Sequence, residues 1–452
     1  MMKQLSGVIR NYFIKGSERS LTVKRNVLYS FLIKGLSVLV GFVIVPITIG
    51  YINKVQYGMW LTLSSIIGWF SFMDIGLGNG LRNKLATAIA LDDYDNAKKY
   101  VSTTYVLVMA IAVLAALIFS FINPHINWNK VLNVNEPGLN LGFIVQWLFY
   151  LFCVQFIVQL INVVLTARQE SASVSFILFL GQMGSATAIF LLSRFTEGSL
   201  FYLVLVLTGL PPLVLLIAGF FLYSGRLKAI APSFKYIDLS NARQLLGLGG
   251  FFFVIQLGVI VLYQTSNIII TQLMGPEEVT TFNIAYKLFS VVTILLTIAI
   301  TPFWSAFTDA YAKDDFVWIR SVVKKIRKFW MIVSLGAAML LLISPVVYKL
   351  WIGDAVSIPF SLSMVVFFNV LGNAWVASHC YFLNGVGKIR LQLVMYLICI
   401  VVNIPLSIFL GRIWGIQGVV MSNILIHLLM SVVFYIQTEK IINKNATGIW
   451  NK

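Results

Sequence analysis

Acidic side chains are scarce in this 452-residue chain. It holds 16 Asp and Glu against 33 Lys and Arg, and of the acids only Asp74 falls clearly inside a hydrophobic run. Charged residues of both signs make up 11% of the sequence, where soluble domains average roughly 25%. That excludes a soluble catalytic domain, because no polar stretch is long enough to cover one. Cysteine is equally sparse. Cys153, Cys380 and Cys399 lie singly in apolar stretches, which excludes a disulfide framework or a Cys-x-x-Cys metal pair and leaves small packed hydrophobes. His125, His379 and His427 are scattered over different segments, so neither a metal site nor a catalytic triad is indicated. Nothing in the sequence calls for a cofactor. Residues 1–25 are polar and basic without the apolar run of a cleaved signal peptide. Leu5–Ile14 reads equally well as a surface-lying amphipathic helix or an ordered tail.

What is abundant is apolar: 59% of residues are hydrophobic. A bilayer span needs about 20 mostly apolar residues, and such stretches recur at 27–52, 57–80, 100–123, 141–165, 172–194, 200–223, 247–274, 280–306, 328–352, 359–384, 390–411 and 416–437. The expectation is an all-α polytopic membrane protein with twelve transmembrane helices. The net charge of +17 then signals topology, not nucleic acid. Twenty-six Lys and Arg fall on one side of the spans, five on the other, and two, Lys34 and Lys287, inside them. That bias places both termini in the cytoplasm.

An internal repeat organises the chain. Ala88-Ile89-Ala90-Leu91-Asp92-Asp93-Tyr94 follows span two, and Ala310-Tyr311-Ala312-Lys313-Asp314-Asp315-Phe316 follows span eight. Both read A-x-A-x-D-D-aromatic, six spans apart and on the same side. This implies a parallel repeat of two six-helix bundles with a substrate path between them. The resulting division is a basic N-tail (1–26), an N-terminal bundle (27–223), a cytoplasmic linker (224–246), a C-terminal bundle (247–437) and a C-tail (438–452).

Charges inside spans are the strongest functional signal, because one at the bilayer centre costs about 2.5–3.5 kcal/mol on insertion scales. Two cations against one acid suit an anionic substrate. Lys34 and Asp74 are expected at one depth in neighbouring spans, as a gating or coupling ion pair, with a static pair or a lysine snorkelling to the interface as the alternatives. Lys287, with Asn267 and Gln264 nearby, is a candidate for holding a diphosphate or sugar hydroxyls, with snorkelling to the interface as the alternative. Gln155, Gln159 and Asn162 share one face of span four, and Asn369 and Asn373 lie on span ten. Amides both donate and accept, which suits a sugar path, but they also join membrane helices structurally. Gly76, Gly78 and Gly80 form a G-x-G-x-G that ends a membrane helix and is no nucleotide fingerprint. Gly78 and Arg82 there are hinge or gating candidates. Asp93-Tyr94-Asp95 is a formal D-x-D, but without a soluble domain it reads as a solvated turn.

Two segments carry a family resemblance. Tyr57-Gly58-Met59-Trp60 with Asp74-Ile75-Gly76-Leu77-Gly78-Asn79-Gly80-Leu81-Arg82-Asn83 and Leu85-Ala86 resembles the span-two signature of bacterial polysaccharide flippases. These are the Wzx-type O-antigen translocases of the multidrug/oligosaccharidyl-lipid/polysaccharide exporter (MOP) superfamily. Gly275-Pro276-Glu277-Glu278-Val279, Tyr286-Lys287-Leu288-Phe289, Pro302-Phe303-Trp304 and Asp309-Ala310-Tyr311 agree with it. The resemblance implies a MATE-like fold in the bacterial inner membrane, and no enzymatic activity. It also implies translocation of an undecaprenyl-diphosphate-linked oligosaccharide, with H+ or Na+ as a coupling ion and polymerases of the same pathway as partners. Where some relatives carry an acid in span seven, this chain has Asn267. A drug or cation exporter of the same fold is the rival, and it needs more intramembrane carboxylates. A polysaccharide polymerase is disfavoured by the short loop 124–140.

Overall fold

The computed structural model describes residues 18–72, 77–134, 138–241, 264–301 and 303–451. Among them there is helix but no strand, and nine helices are long and apolar enough to cross a membrane. In chain order the helices are α1 (Glu18–Tyr51), α2 (Lys54–Gly68), α3 (Leu77–Ala90), α4 (Tyr94–Ile122), α5 (Leu141–Val158), α6 (Leu160–Ala167), α7 (Ser171–Phe195) and α8 (Leu200–Ser224). They continue with α9 (264–274), α10 (Pro276–Ile300), α11 (Phe303–Ala312), α12 (Phe316–Ile352), α13 (Phe360–Gly385) and α14 (Arg390–Ile442). Where they are described, the hydrophobic stretches read from the sequence fall on helices; residues 73–76 of the second, 247–263 of the seventh and 302 of the eighth lie outside the described residues. α14 carries two stretches and bends between them at Trp414 and Gly415. Gly415 has φ 61 and ψ −141, a region open essentially to glycine.

The chain divides into two compact units. One comprises residues 1–51, 73–127 and 140–250, the other 52–72, 128–139 and 251–452. In the first unit, α1 packs on α7, with Ser30 Oγ donating to Ser171 Oγ and Gln182 Nε2 donating to the Ser37 carbonyl. A core of Leu81, Leu85, Val101, Val164 and Leu165 joins α3, α4 and α6. Glu170 bridges Arg168 and Arg226 at 2.9 and 2.7 Å, tying the α6–α7 turn to the end of α8. Residues 233–238 dock against α4: Ser233 and Asp238 donate their backbone N–H groups to Ser102 Oγ and Thr103 Oγ1, both at 3.0 Å.

The repeated A-x-A-x-D-D motif folds into the same turn in each unit. Asp92 and Asp314 both take φ 56, a left-handed conformation that Asp tolerates better than most residues. Asp93 and Asp315 return their N–H groups to the Ala88 and Ala310 carbonyls, both at 2.9 Å. Each then caps the next helix, accepting from Asn96 N and Trp318 N respectively. The side chain and backbone of Asn96 hold the Asp93 carboxyl below the usual carboxylate range. This is the N-cap chemistry that the D-x-D spelling conceals.

In the second unit α2 is fastened to α9 and α10. Thr280 Oγ1 donates to the Lys54 carbonyl at 2.7 Å, Lys54 pairs with Glu277 at 2.9 Å, and Thr62 and Thr271 share a hydrogen bond at 2.6 Å. Gly58 permits the contact: a Cβ there would lie 1.7 Å from the Pro276 carbonyl oxygen. Gly58→Ala is therefore expected to force the two backbones apart at about 1–3 kcal/mol or more, lowering the thermal midpoint of the detergent-purified chain by several degrees. Gly184→Ala, where nothing stands within 4 Å of the added carbon, is expected to be neutral or slightly stabilising. Equal midpoints for the two variants in a fluorescence size-exclusion melt would reject the close approach.

Candidate functional site

The second unit encloses a polar cavity of about 190 Å³. Its wall is built from four helices. α9 supplies Gln264, Ser266 and Asn267, and α10 supplies Phe282, Asn283 and Tyr286. α13 adds Asn369, and α14 adds Asn423 and His427. No carboxylate and no lysine is among these residues. The space suits a few waters or part of a larger polar ligand, since pockets for whole drug-sized ligands run to about 300–1,000 Å³.

Two hydrogen-bonded relays organise the wall. Asn283 Nδ2 donates to Asn267 Oδ1 at 2.8 Å, and Asn267 Nδ2 donates to Ser65 Oγ of α2 at 2.8 Å. Ser65 in turn donates to the Leu61 carbonyl. From the other side, Asn403 Nδ2 donates to Asn423 Oδ1 at 2.8 Å, and Asn423 Nδ2 donates to Ser266 Oγ at 3.0 Å. Adjacent residues of α9 thus receive one relay each. His427 Nδ1 lies 3.1 Å from Asn369 Oδ1. A carbonyl oxygen can only accept, so the imidazole donates through Nδ1, which leaves Nε2 as an acceptor in the neutral ring.

Three residues singled out in the sequence meet here: Gln264, Asn267 and Asn369. Gln264 packs its amide beside α2, where a Cβ on Gly68 would stand 3.2 Å from Nε2. Lys287 is half-buried on α10 and is not among the lining residues, although Asn283, one turn before it, is. Asn373 is half-buried one turn beyond Asn369, also outside the lining. In the first unit, Gln159 forms the break between α5 and α6, flanked by Gln155 and Asn162. The buried Gln155 Oε1 and Asn162 Oδ1 meet no donor among the described residues, an arrangement that usually marks water or ligand. Lys34 and Arg82 are exposed, and Gly78 is buried. Asp74, expected beside Lys34, lies outside the described residues, so the pair is not described. The sequence reading missed Asn283, Asn423 and His427. The available signals were the four-residue spacings Asn283–Lys287 and Asn423–His427, each placing two polar side chains on one helix face.

Residues 23–307, more than half of the chain, match the profile of the family described as polysaccharide biosynthesis protein. The chain belongs to that family. It is also 21% identical over 375 residues to a Yersinia pseudotuberculosis protein named for O-antigen export, covering 78% of this chain and 81% of that protein. Among solved structures, an inward-facing multidrug-resistance MATE transporter of the MOP superfamily aligns with a TM-score of 0.77 at 13% identity, over 93% of this chain and 100% of its own. A MOP transporter from Pyrococcus furiosus aligns at 0.66 and 14% identity, over 97% and 98%. The fold of this family member is therefore that of the MATE transporters, an all-α multi-pass membrane architecture.

If the Asn283–Asn267 hydrogen bond is a working contact in lipid, Asn267→Ala and Asn283→Ala should couple by about 0.6 kcal/mol and by no more than roughly 1.7, the range for such pairs in membrane proteins. A double-mutant cycle in unfolding titrations of the full chain measures this. Strict additivity would mean that the two amides do not act together.

Proposed function

We propose that this chain is a flippase for a lipid-linked oligosaccharide. It moves a polysaccharide repeat unit carried on undecaprenyl diphosphate from the cytoplasmic to the periplasmic leaflet of the bacterial inner membrane. The two bundles, 27–223 and 247–437, alternate access, with both termini cytoplasmic, and an H+ or Na+ gradient drives the cycle. Polymerases of the same pathway act on the product.

The observation that carries this reading is the chemistry of the cavity wall. Amides, hydroxyls and an imidazole complement sugar hydroxyls, which also donate and accept. A drug or cation exporter needs membrane-embedded carboxylates. The described acidic residues lie in loops or near helix ends, in the short α11 (Asp309) or in the last turns of α14 (Glu439). The family match and the O-antigen name of the Yersinia relative support the same substrate class.

Within this reading Lys287, with Gln264 and Asn267, holds the diphosphate. Lysine is a compact point charge that exchanges partners readily. It partly neutralises the carried anion, whose movement through the membrane potential is worth about 2.3 kcal/mol per charge per 100 mV. Gln155, Gln159, Asn369 and Asn373 line the sugar path. Lys34 and Asp74, with Gly78 and Arg82, couple and gate it.

The test is complementation of a flippase-null strain, scored by surface glycan at matched protein level. Lys287→Ala and Lys287→Gln are expected to abolish display, and Lys287→Arg to retain part of it. Normal display from Lys287→Ala removes this residue from the mechanism. Absence of display from the unmutated chain, together with gained resistance to cationic drugs, would transfer the assignment to the exporter.

A further inference from the structure

A second, larger concavity opens on the outer surface of the second unit. It measures about 920 Å³ and is almost wholly apolar. Its floor is one face of α13, with Met364, Phe368, Leu371 and Trp375 spaced by four, three and four residues. Its wall is one face of the second half of α14, including Met421, Leu425 and Leu428. From Met364 to Trp375 the floor runs about 16 Å at 1.5 Å per residue, half of a hydrocarbon core about 30 Å thick.

One end of this groove is polar. Trp330 of α12 lies 4.7 Å from Trp375, ring to ring, and its indole N–H donates to the Leu371 carbonyl. Beyond them stands His379, its ring 4.8 Å from Trp375. Arg327, one turn before Trp330, brings Nη2 to 3.4 Å from His379 Nε2 and Nη1 to 2.6 Å from Glu439 Oε1, with its guanidinium over the Tyr435 ring. The Arg327 Nε–H is buried and meets no acceptor among the described residues. Lys324 and Lys328 are exposed on the same stretch of α12. An apolar trough that ends on a cluster of net positive charge, Arg327, Lys324 and Lys328 against Glu439, complements an amphiphile with an anionic head.

We propose that this groove holds the polyprenyl chain of the substrate, with its diphosphate resting first at Arg327, before the step that brings it to Lys287. The proposal rests on the flippase reading and adds where the lipid part of the substrate runs. A polyprenyl chain carries a methyl branch and a double bond every four carbons. It is thicker and stiffer than a straight acyl chain, and the wide, tryptophan-edged trough (Trp330, Trp375 and Trp414 all border it) suits that shape. The Nη groups of the guanidinium are held by Glu439 and His379, and a phosphate oxygen reaching Nε would complete its hydrogen bonds, with the exposed Lys324 and Lys328 beside it.

The experiment uses the full-length chain in phosphatidylcholine nanodiscs with a benzophenone-tagged, sugar-free polyprenyl diphosphate as probe. Crosslinked peptides are mapped by mass spectrometry. Label is expected on α13 residues 364–375 and α14 residues 421–431, competed by untagged polyprenyl diphosphate and not by phosphatidylglycerol. Arg327→Gln should weaken capture about tenfold or more, the loss of a charge-assisted hydrogen bond. Leu425→Trp, which fills the trough from an exposed position, should displace the label, while Leu117→Trp on exposed α4 should not. Equal competition by phosphatidylglycerol, or label spread evenly over exposed helices, overturns the proposal in favour of ordinary annular lipid. The two readings fail separately. Surface glycan restored without groove label sinks the groove alone. Groove label without glycan in the null strain sinks the flippase reading and leaves a polyprenyl site.

Discussion

Hydrocarbon offers no hydrogen bonds, and that constraint shapes the second unit more than any other. A polar group left unpaired in lipid costs several kcal/mol, so an amide brought into a span is driven to find a partner on another helix. The result is a pair of relays that meet neighbouring residues of α9. Asn403 and Asn423 reach Ser266, and Asn283 passes through Asn267 to Ser65. α9 is thereby held between α14 on one side and α2 on the other. This explains why residues 52–72 belong to the second unit although the chain continues from them into the first. Thr62, Gly58 and Lys54 extend the same fastening along α2.

The relays leave a cavity whose wall is polar without being charged. The ion pairs stand away from this wall: Lys54 with Glu277, Arg327 with Glu439, Arg168 and Arg226 with Glu170. There partial contact with water lightens the desolvation cost that a fully buried pair must overcome. Selection inside such a cavity rests on hydrogen-bond pattern, and a ligand lacking hydroxyls or amides would leave the wall unsatisfied.

The all-α, multi-pass character was legible because hydropathy over twenty residues is a strong local signal. The A-x-A-x-D-D repeat was legible as a short motif, and the structure gives it a physical content, a left-handed Asp followed by a capping Asp in both copies. Gln264, Asn267 and Asn369 stood out as amides in apolar surroundings. Their partners did not, because pairing in these helices is non-local and the helices are apolar nearly all round, so no polar stripe points inward. One part was recoverable. The bend at Gly415 makes α14 a hairpin, and its contacts lie roughly equidistant from that bend: Ser407 with Ser422, Asn403 with Asn423, Cys399 with Met430. A reader who trusted Trp414-Gly415 as a turn would have paired them. Arg327 was counted as a topology signal, and nothing local marks it as the residue that meets His379 and Glu439 from two other helices.

Neutral relays also bear on movement. A transporter must break contacts inside lipid and make others, repeatedly. An interhelical hydrogen bond between neutral groups is worth about 0.6 kcal/mol on average in a membrane, so exchanging Asn267's partners is a small step. Separating a buried ion pair leaves a lone charge at several kcal/mol. Neutral amides around the cavity, with the ion pairs elsewhere, therefore suit a unit that must hold together in lipid and yet exchange contacts at low cost. Asn267, an amide where an acid would fit the same space, follows from that arrangement: it can bond Asn283 and Ser65 at once, and it can release either without stranding a charge.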